Sequence, residues 1–237
     1  MLFRSAFVML ALAMGLGVGA VNGALVALLR VNSLVTTIGM NSLMLGITMH
    51  VTRGFSQQAP PPLNKFGVGK LLGVPLTLYV MIVIAAIAIF VLEKTTVGRR
   101  FIATSVNPDA ALTVGIRLDW YRVATYAVAG FCYAAAGILL AGYVLSPTVF
   151  SGMPYLLASV AAVVVGGTSI LGGRGSFLGT VGGAILLTTI STIIGALELP
   201  EGWRTVIYGV VILLALLLMR EKILTALERR FGSGGAR

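Results

Sequence analysis

Long runs without a charged residue alternate with short charged segments along the chain. Several runs are about 22 residues long, which at about 1.5 Å per residue covers a hydrocarbon core of about 30 Å. The longest run, 123–173, is interrupted by turn-forming residues at 145–154. The pattern predicts an all-α bundle, one transmembrane domain over 1–237. Its seven spans are predicted at 5–29, 31–52, 71–92, 123–144, 155–173, 176–197 and 203–219.

One polar segment, 93–122, breaks this pattern. It reads EKTTVGRRFIATSVNPDAALTVGIRLDWYR and carries eight of the 24 formal charges. A short, basic, amphipathic segment between two spans is expected to present a docking surface to a cytoplasmic partner.

Composition agrees with a membrane protein. Hydrophobic residues make up 58% of the chain and charged residues 10%, against about 25% charged in soluble domains. The net charge of +10 does not predict a nucleic-acid partner, because the basic residues stand at the ends of apolar runs and not with aromatic residues on one face.

The basic residues also predict the orientation. If 93–122 is cytoplasmic, twelve of the 17 Lys and Arg residues lie inside and five outside, as the positive-inside rule requires. The carboxyl terminus is then cytoplasmic, and Arg4 lies outside, against the rule. Either the first residues are a signal peptide, or the chain begins partway through a longer membrane protein; the second explanation is preferred.

Glycines at four-residue spacing predict close helix packing, because small residues let two helices approach in lipid. Two such series occur, and their surroundings are weakly alike, which hints at an internal repeat. The first series is Gly15, Gly19 and Gly23, and the second is Gly175, Gly179 and Gly183.

Uncharged polar residues inside the second span have two interpretations. Thr37, Asn41 and Thr48 lie near one helical face. Polar groups are costly in lipid unless they pair or line a wet cavity. They therefore either line a path for a polar, uncharged solute or form hydrogen bonds between helices, and the sequence favours neither.

No pattern predicts an enzyme, a metal site or a cofactor. The chain has one cysteine and one histidine, too few for a metal site of the usual kind. The glycine-rich segment 167–176 lacks the lysine of a phosphate-binding loop. All seven carboxylates lie outside the spans, which argues against a proton-driven carrier.

Two segments carry a family resemblance. They are TTVGRRFIATSVNPDAALTVGIRL (95–118) and YLLASVAAVVVGGTSILGGRGSFLGT (155–180). In order and spacing they resemble the permease subunits of bacterial ATP-binding-cassette sugar importers, the ribose permease group, which is related to the branched-chain amino acid permeases. The similarity covers nearly the whole chain.

The resemblance implies a coupling helix in the cytoplasmic segment 93–122. It assigns to that helix and its exit Asn107, Pro108, Asp109, Ala110, Ala111, Gly115 and Ile116. These residue types suit the role, because Asn107 can cap a helix that Pro108 and Asp109 begin, the two alanines keep a docking face slim, and Gly115 can end it.

The resemblance also implies partners and a location. A bacterial inner-membrane permease of this group works with a second permease subunit, two cytoplasmic ATPases that hydrolyse ATP, and a periplasmic sugar-binding protein. The outer segment 53–70 is a candidate contact for the binding protein or, alternatively, a stiff proline-rich connector.

The chain departs from the family pattern in two respects. Residues 155–163 lack two acidic residues that the group often has, so a substrate preference tied to them does not transfer. Family members usually have on the order of ninety more amino-terminal residues, enough for about three further spans. The chain is therefore expected to be the carboxyl-terminal part of a roughly ten-span permease, which removes the Arg4 anomaly.

Three alternatives to a sugar importer stay open. The same architecture can carry a branched-chain amino acid or a nucleoside, although the GGTSILGG segment favours a sugar. A secondary carrier needs no ATPase, and the segment 93–122 argues against it. The third alternative is a membrane scaffold that transports nothing.

Overall fold

A computed structural model describes residues 2–56, 58, 60, 63, 67–169, 175–198, 200 and 202–214. The chain forms two compact units, one ending at Gly152 and the other beginning at Met153. Both are built almost wholly from helices, which confirms the predicted all-α class.

The first unit contains helices of very different lengths and one small hairpin. The hairpin pairs two antiparallel two-residue strands, β1 and β2, directly before a membrane helix. Its elements are α1 (Leu2–Ala27), α2 (Ser33–Thr52), β1 (Lys70–Leu71), β2 (Val74–Pro75), α3 (Leu76–Lys94), α4 (Thr96–Val106), α5 (Pro108–Thr113) and α6 (Leu118–Val144).

The described residues of the second unit form three helices: α7 (Met153–Val165), α8 (Phe177–Ala196) and α9 (Gly202–Leu214). Its buried cluster joins Ala161 and Ala162 of α7, Leu187 of α8 and Tyr208 of α9. Small residues on α7 allow this packing, because an alanine methyl leaves room for the larger side chains of the facing helices.

Five helices in the described part of the chain are long and apolar enough to cross a membrane. They are Ala6–Ala27, Ser33–Thr52, Leu76–Lys94, Leu118–Val144 and Phe177–Ala196. The predicted spans 155–173 and 203–219 correspond to the shorter apolar helices α7 and α9. Residues 170–174 and 215–219 lie outside the described residues, so the full length of these two spans stays a prediction.

Helix α6 begins at Leu118, five residues before the predicted span 123–144. The charged residues Asp119 and Arg122 lie before the charge-free run, but the helix is continuous through them. A hydropathy boundary therefore marks where the apolar surface begins, and the helix itself extends further into the polar segment.

Large apolar side chains are widely exposed on the membrane-length helices. Phe7 on α1 is 69% exposed and Phe90 on α3 is 62% exposed, and α3 buries none of its residues. Apolar surface on this scale is unfavourable in water and suits contact with lipid or with another membrane subunit.

The first glycine series lies where α1 meets α6. A methyl group added at Gly15 would come within 2.5 Å of the Ala134 side chain, and one at Gly23 within 2.7 Å of the Val123 Cα atom. A methyl group at Gly19 would overlap the backbone carbonyl oxygen of Tyr126. The missing side chains therefore allow backbone contact between the two helices.

The second glycine series divides between α8 and the loop before it. Methyl groups at Gly179 and Gly183 would overlap the carbonyl oxygens of Gly166 and Ala162, so both glycines face α7. Gly175 precedes α8, and a methyl group there would lie 3.0 Å from the Thr168 side chain. Gly175 is thus a loop contact, while the other two allow helix packing.

Candidate functional site

The polar segment 93–122 folds into two short helices, α4 and α5, followed by the first turn of α6. It joins two membrane-length helices, α3 and α6. Helix α5 contacts both α4 and α6. The segment is therefore held against its own chain at both ends, which suits a surface that must move as one body.

A sharp bend separates α3 from α4. The Thr95 hydroxyl donates to the carbonyl oxygen of Val91 and accepts from the backbone amide of Gly98 at 3.2 Å. Gly98 is buried, and a methyl group there would overlap the carbonyl oxygens of Val91 and Leu92. The two residues together close the bend.

Thr95 and Gly98 were not among the predicted site residues. They do, however, begin the first resembling segment, which opens TTVGRR at residues 95–100. A threonine three residues before a glycine, directly after an apolar run, is the signal that would have found them, because it combines a helix cap with a close backbone approach.

The start of α5 has the cap that its sequence predicts. The Asn107 side-chain oxygen accepts from the Ala110 amide at 3.0 Å, and Pro108 occupies the first turn. Asp109 also lies in the first turn, where its carboxylate interacts favourably with the positive end of the helix dipole.

The end of α5 is closed by backbone hydrogen bonds around Gly115. The Gly115 amide donates to Leu112 at 2.9 Å, and the Ile116 amide donates to Ala111 at 3.0 Å. Gly115 has φ +79°, a left-handed conformation that glycine adopts without strain. This pair of bonds is a Schellman motif, so both ends of the six-residue helix are satisfied.

The two alanines of α5 face opposite environments. Ala110 is exposed, whereas Ala111 is only 4% exposed. The interpretation that both keep a docking face slim therefore needs a correction, because Ala111 packs inside the segment. A short helix does not show from its sequence which side it turns inward.

Exposed apolar side chains surround α5. We name this set, together with Ala110, the α5 surface; it comprises Val106, Ala110, Leu112 and Val114. Val114 is 78% exposed and Leu112 is 54% exposed. Apolar groups displayed by a charged segment are typical of the centre of a protein–protein contact.

Helix α2 exposes all three residues that were predicted to line a solute path or to bond between helices, Thr37, Asn41 and Thr48. Thr37 and Thr48 donate their hydroxyls to carbonyl oxygens of their own helix, Ser33 at 2.9 Å and Met44 at 2.8 Å. Asn41 makes no hydrogen bond within the described residues. None of the three therefore forms an interhelical hydrogen bond within this part of the chain.

The segment 53–70 is tied to the carboxyl end of α6. The Ser56 hydroxyl donates to the carbonyl oxygens of Ser146 at 3.0 Å and Pro147 at 3.2 Å. Gly142 is buried, and a methyl group there would lie 2.7 Å from the Leu63 carbonyl oxygen. Ser56 and Leu63 thus contact this end of the helix and the loop that follows it.

The fold defines a polytopic α-helical, multi-pass membrane protein. Residues 4–216 match a known sequence family, and the chain belongs to that family, the permease component of the branched-chain amino acid transport system.

Curated relatives of the chain are named as import permease proteins. A ribose import permease protein of Haemophilus influenzae is 32% identical over 87% of this chain and 65% of its own length. An autoinducer 2 import system permease protein of Shigella flexneri is 36% identical over 92% of this chain and 64% of its own. A ribose import permease protein of Escherichia coli is 34% identical over 90% of this chain and 68% of its own.

The chain thus spans about two thirds of the length of these relatives. No solved structure matches it with statistical significance.

Proposed function

We propose that the chain is a membrane-spanning permease subunit of a bacterial ATP-binding-cassette importer for a ribose-like sugar. The observation that carries the proposal is α5, a six-residue helix capped at both ends between two membrane-length helices. Family membership and the transport names of the relatives support it.

Helix α5 is the coupling element in this proposal. Its caps make it rigid, its contacts with α4 and α6 connect it to the membrane helices, and the α5 surface offers apolar side chains to a groove on a cytoplasmic ATPase. Motion of the ATPase would then move α5, the bend at Thr95 and the end of α3 together. ATP hydrolysis belongs to the partner.

Helix α2 supplies part of the solute path. Thr37, Asn41 and Thr48 lie on one face and are exposed, and methyl groups at Gly39 and Gly46 on the opposite face would have open space around them. One face of α2 is then polar enough for a sugar hydroxyl, while the other is flat enough to pack against a further helix.

The orientation in this proposal follows the positive-inside rule. The segment 93–122 and the carboxyl terminus are cytoplasmic. The hairpin, whose Leu72 is 91% exposed, lies at the opposite end of α3 and faces the periplasm with the segment 53–70. A sugar-binding protein would dock there, and the exposed apolar helices would meet a second permease subunit.

The relatives and the family description name different transported solutes. Two relatives are named for ribose and one for autoinducer 2, whereas the family description names branched-chain amino acids. A sugar is favoured because the side chains that line the proposed path on α2, Thr37, Asn41 and Thr48, carry two hydroxyls and one amide, which pair with an uncharged polyol and offer no charge to an amino acid's ammonium or carboxylate group.

Uptake into proteoliposomes, with the ATPase and the nucleotide enclosed in the lumen and the binding protein outside, tests the proposal. The chain is produced with its partner ATPase and binding protein, and labelled ribose, leucine and a nucleoside are offered in parallel with ATP or with a non-hydrolysable analogue. ATP-dependent accumulation of ribose alone is the expected result. Accumulation of leucine or the nucleoside instead would overturn the cargo, and accumulation of ribose without hydrolysable ATP would overturn the importer class.

A further inference from the structure

An open cavity of about 890 Å³ lies in the first unit, beside the coupling segment. The end of α1, the start of α2 and the junction between α5 and α6 form its walls. We name it the arginine cavity, because Arg30, Arg117 and Arg122 line it with the single carboxylate of Asp119.

The charges in the arginine cavity do not balance. Three arginines and one aspartate, all exposed, line it, and together they carry a net charge of +2. Within the described part of the chain none of these four side chains takes part in an ion pair. The first turn of α6 also has no side-chain cap, so the positive end of its helix dipole adds to the same field. The cavity is therefore suited to an anion.

Apolar side chains form the rest of the wall. Val26 and Leu28 come from the end of α1, and Ile116 comes from the α5–α6 junction. Trp120 lines the same cavity and is 67% exposed. A site that offers both guanidinium groups and apolar wall fits an amphipathic ligand better than a small hydrophilic ion.

The position of the cavity along the helices agrees with this chemistry. The membrane-length part of α1 ends at Ala27, and α6 begins at Leu118, so the cavity lies at the same end of both helices, at the boundary of the hydrocarbon core. Tryptophan and arginine side chains are typical of this level. The placement depends on membrane insertion only, and not on transport.

We propose that the arginine cavity binds the phosphate headgroup of an anionic phospholipid. The planar guanidinium groups donate paired hydrogen bonds to phosphate oxygens, and the apolar wall accommodates the glycerol backbone and the first acyl carbons. Free phosphate offers the same oxygens but nothing for the apolar wall, so the lipid is the occupant to which the geometry points.

A lipid at this position would touch the coupling segment. Leu112, Gly115 and Ile116 line the cavity as well, and the last two form the carboxyl-terminal cap of α5. The bound headgroup would therefore hold the α5–α6 junction in one arrangement, which makes the stability of the segment depend on anionic lipid.

Lipid retention measured by native mass spectrometry tests the proposal. The full chain is purified in nanodiscs that contain phosphatidylglycerol and phosphatidylcholine in equal amounts, and retained lipids are identified after mild activation. The test variant is Arg117→Gln with Arg122→Gln. The matched control is Arg99→Gln with Arg100→Gln, which removes the same charge from two exposed arginines of α4 that do not line the cavity.

The wild type and the α4 control are expected to retain phosphatidylglycerol in preference to phosphatidylcholine. The cavity variant should lose affinity by about fivefold for each basic side chain removed. Arg30→Asn should lose part of the affinity for phosphatidylglycerol, and asparagine suits the positive φ of 53° at residue 30. This single variant still tests the cavity if the double variant does not fold.

Two results would overturn the proposal. The first is equal loss of phosphatidylglycerol in the cavity variant and in the α4 control, which would show only general attraction to basic charge. The second is displacement of the retained lipid from the wild type by an excess of inorganic phosphate, which would make the cavity a site for the free anion.

Discussion

The Thr95 hydroxyl and the Gly98 amide are hydrogen bonded at 3.2 Å across the bend between α3 and α4. The same hydroxyl donates back to α3, at Val91, so one side chain satisfies groups on both helices. The bend is therefore a structural joint between the membrane-length helix α3 and the polar segment 93–122.

Replacing Thr95 by valine should weaken this joint. The change keeps the shape of the side chain and removes the cap, which costs about 1 kcal/mol, whereas Thr95→Ser keeps the hydroxyl and should restore stability. Thermal unfolding of the purified protein in nanodiscs measures both variants. Thr113→Val is the control, since that exposed hydroxyl bonds only within its own helix. A melting temperature for Thr95→Val equal to that of the control would contradict the assignment.

Replacing Asn107 should loosen α5. Asn107→Ala removes the acceptor for the Ala110 amide at a cost of about 1 kcal/mol, whereas Asn107→Asp keeps an oxygen in the same place and retains the cap. Hydrogen exchange of the residues in α5 should become several-fold faster in the alanine variant alone. Equal exchange in the two variants would show that the cap does not stabilise this helix.

Replacing Gly19 by alanine should separate α1 from α6. The new methyl group would meet the backbone of Tyr126, and overpacking of this kind typically costs about 1–3 kcal/mol. Gly17→Ala is the matched control, because a methyl group there has nothing within 4 Å. Thermal unfolding should show a lower melting temperature for the first variant only. If both variants behave alike, the glycine contact is not what holds the two helices together.

Single cysteines should report the orientation. In a Cys132→Ala background, Thr113→Cys in the coupling segment should react with a membrane-impermeant maleimide only in inverted vesicles. Leu72→Cys, at the opposite end of α3, should react only in intact spheroplasts. The positive-inside distribution of Lys and Arg residues is the physical reason. The reverse labelling pattern would place the coupling segment outside and exclude an ATPase contact.

Local signals in the sequence were enough to predict the helical class and the capped ends of α5. Asn107, Pro108 and Gly115 act through atoms a few residues away, so their roles can be inferred from spacing alone. The membrane-length helices follow in the same way from runs of apolar residues.

Features that depend on tertiary contacts could not be predicted in this way. The burial of Ala111 depends on which side of α5 meets α4 and α6. The arginine cavity brings Arg30 together with Arg117 and Arg122, which are far from it along the chain. Whether the hydroxyls of Thr37 and Thr48 form hydrogen bonds within their own helix or to another helix also depends on neighbouring helices. In the structure both hydroxyls donate to backbone carbonyl oxygens of α2 itself.

ATP-driven uptake by the Ala110→Arg variant tests most directly whether α5 is the helix that couples the permease to an ATPase. Ala110 belongs to the exposed α5 surface, so an arginine there should leave insertion and melting temperature unchanged and block the ATPase contact. Leu197→Arg adds the same charge at an exposed residue directly after α8 and serves as the control. Ala111→Arg should instead reduce the yield of folded protein, because that methyl group is buried.

Nearly all ATP-driven ribose uptake and ATPase co-purification should be lost in Ala110→Arg, and both should be retained in Leu197→Arg. Normal uptake and normal co-purification by a fully inserted Ala110→Arg variant would contradict the assignment of α5 as the coupling helix.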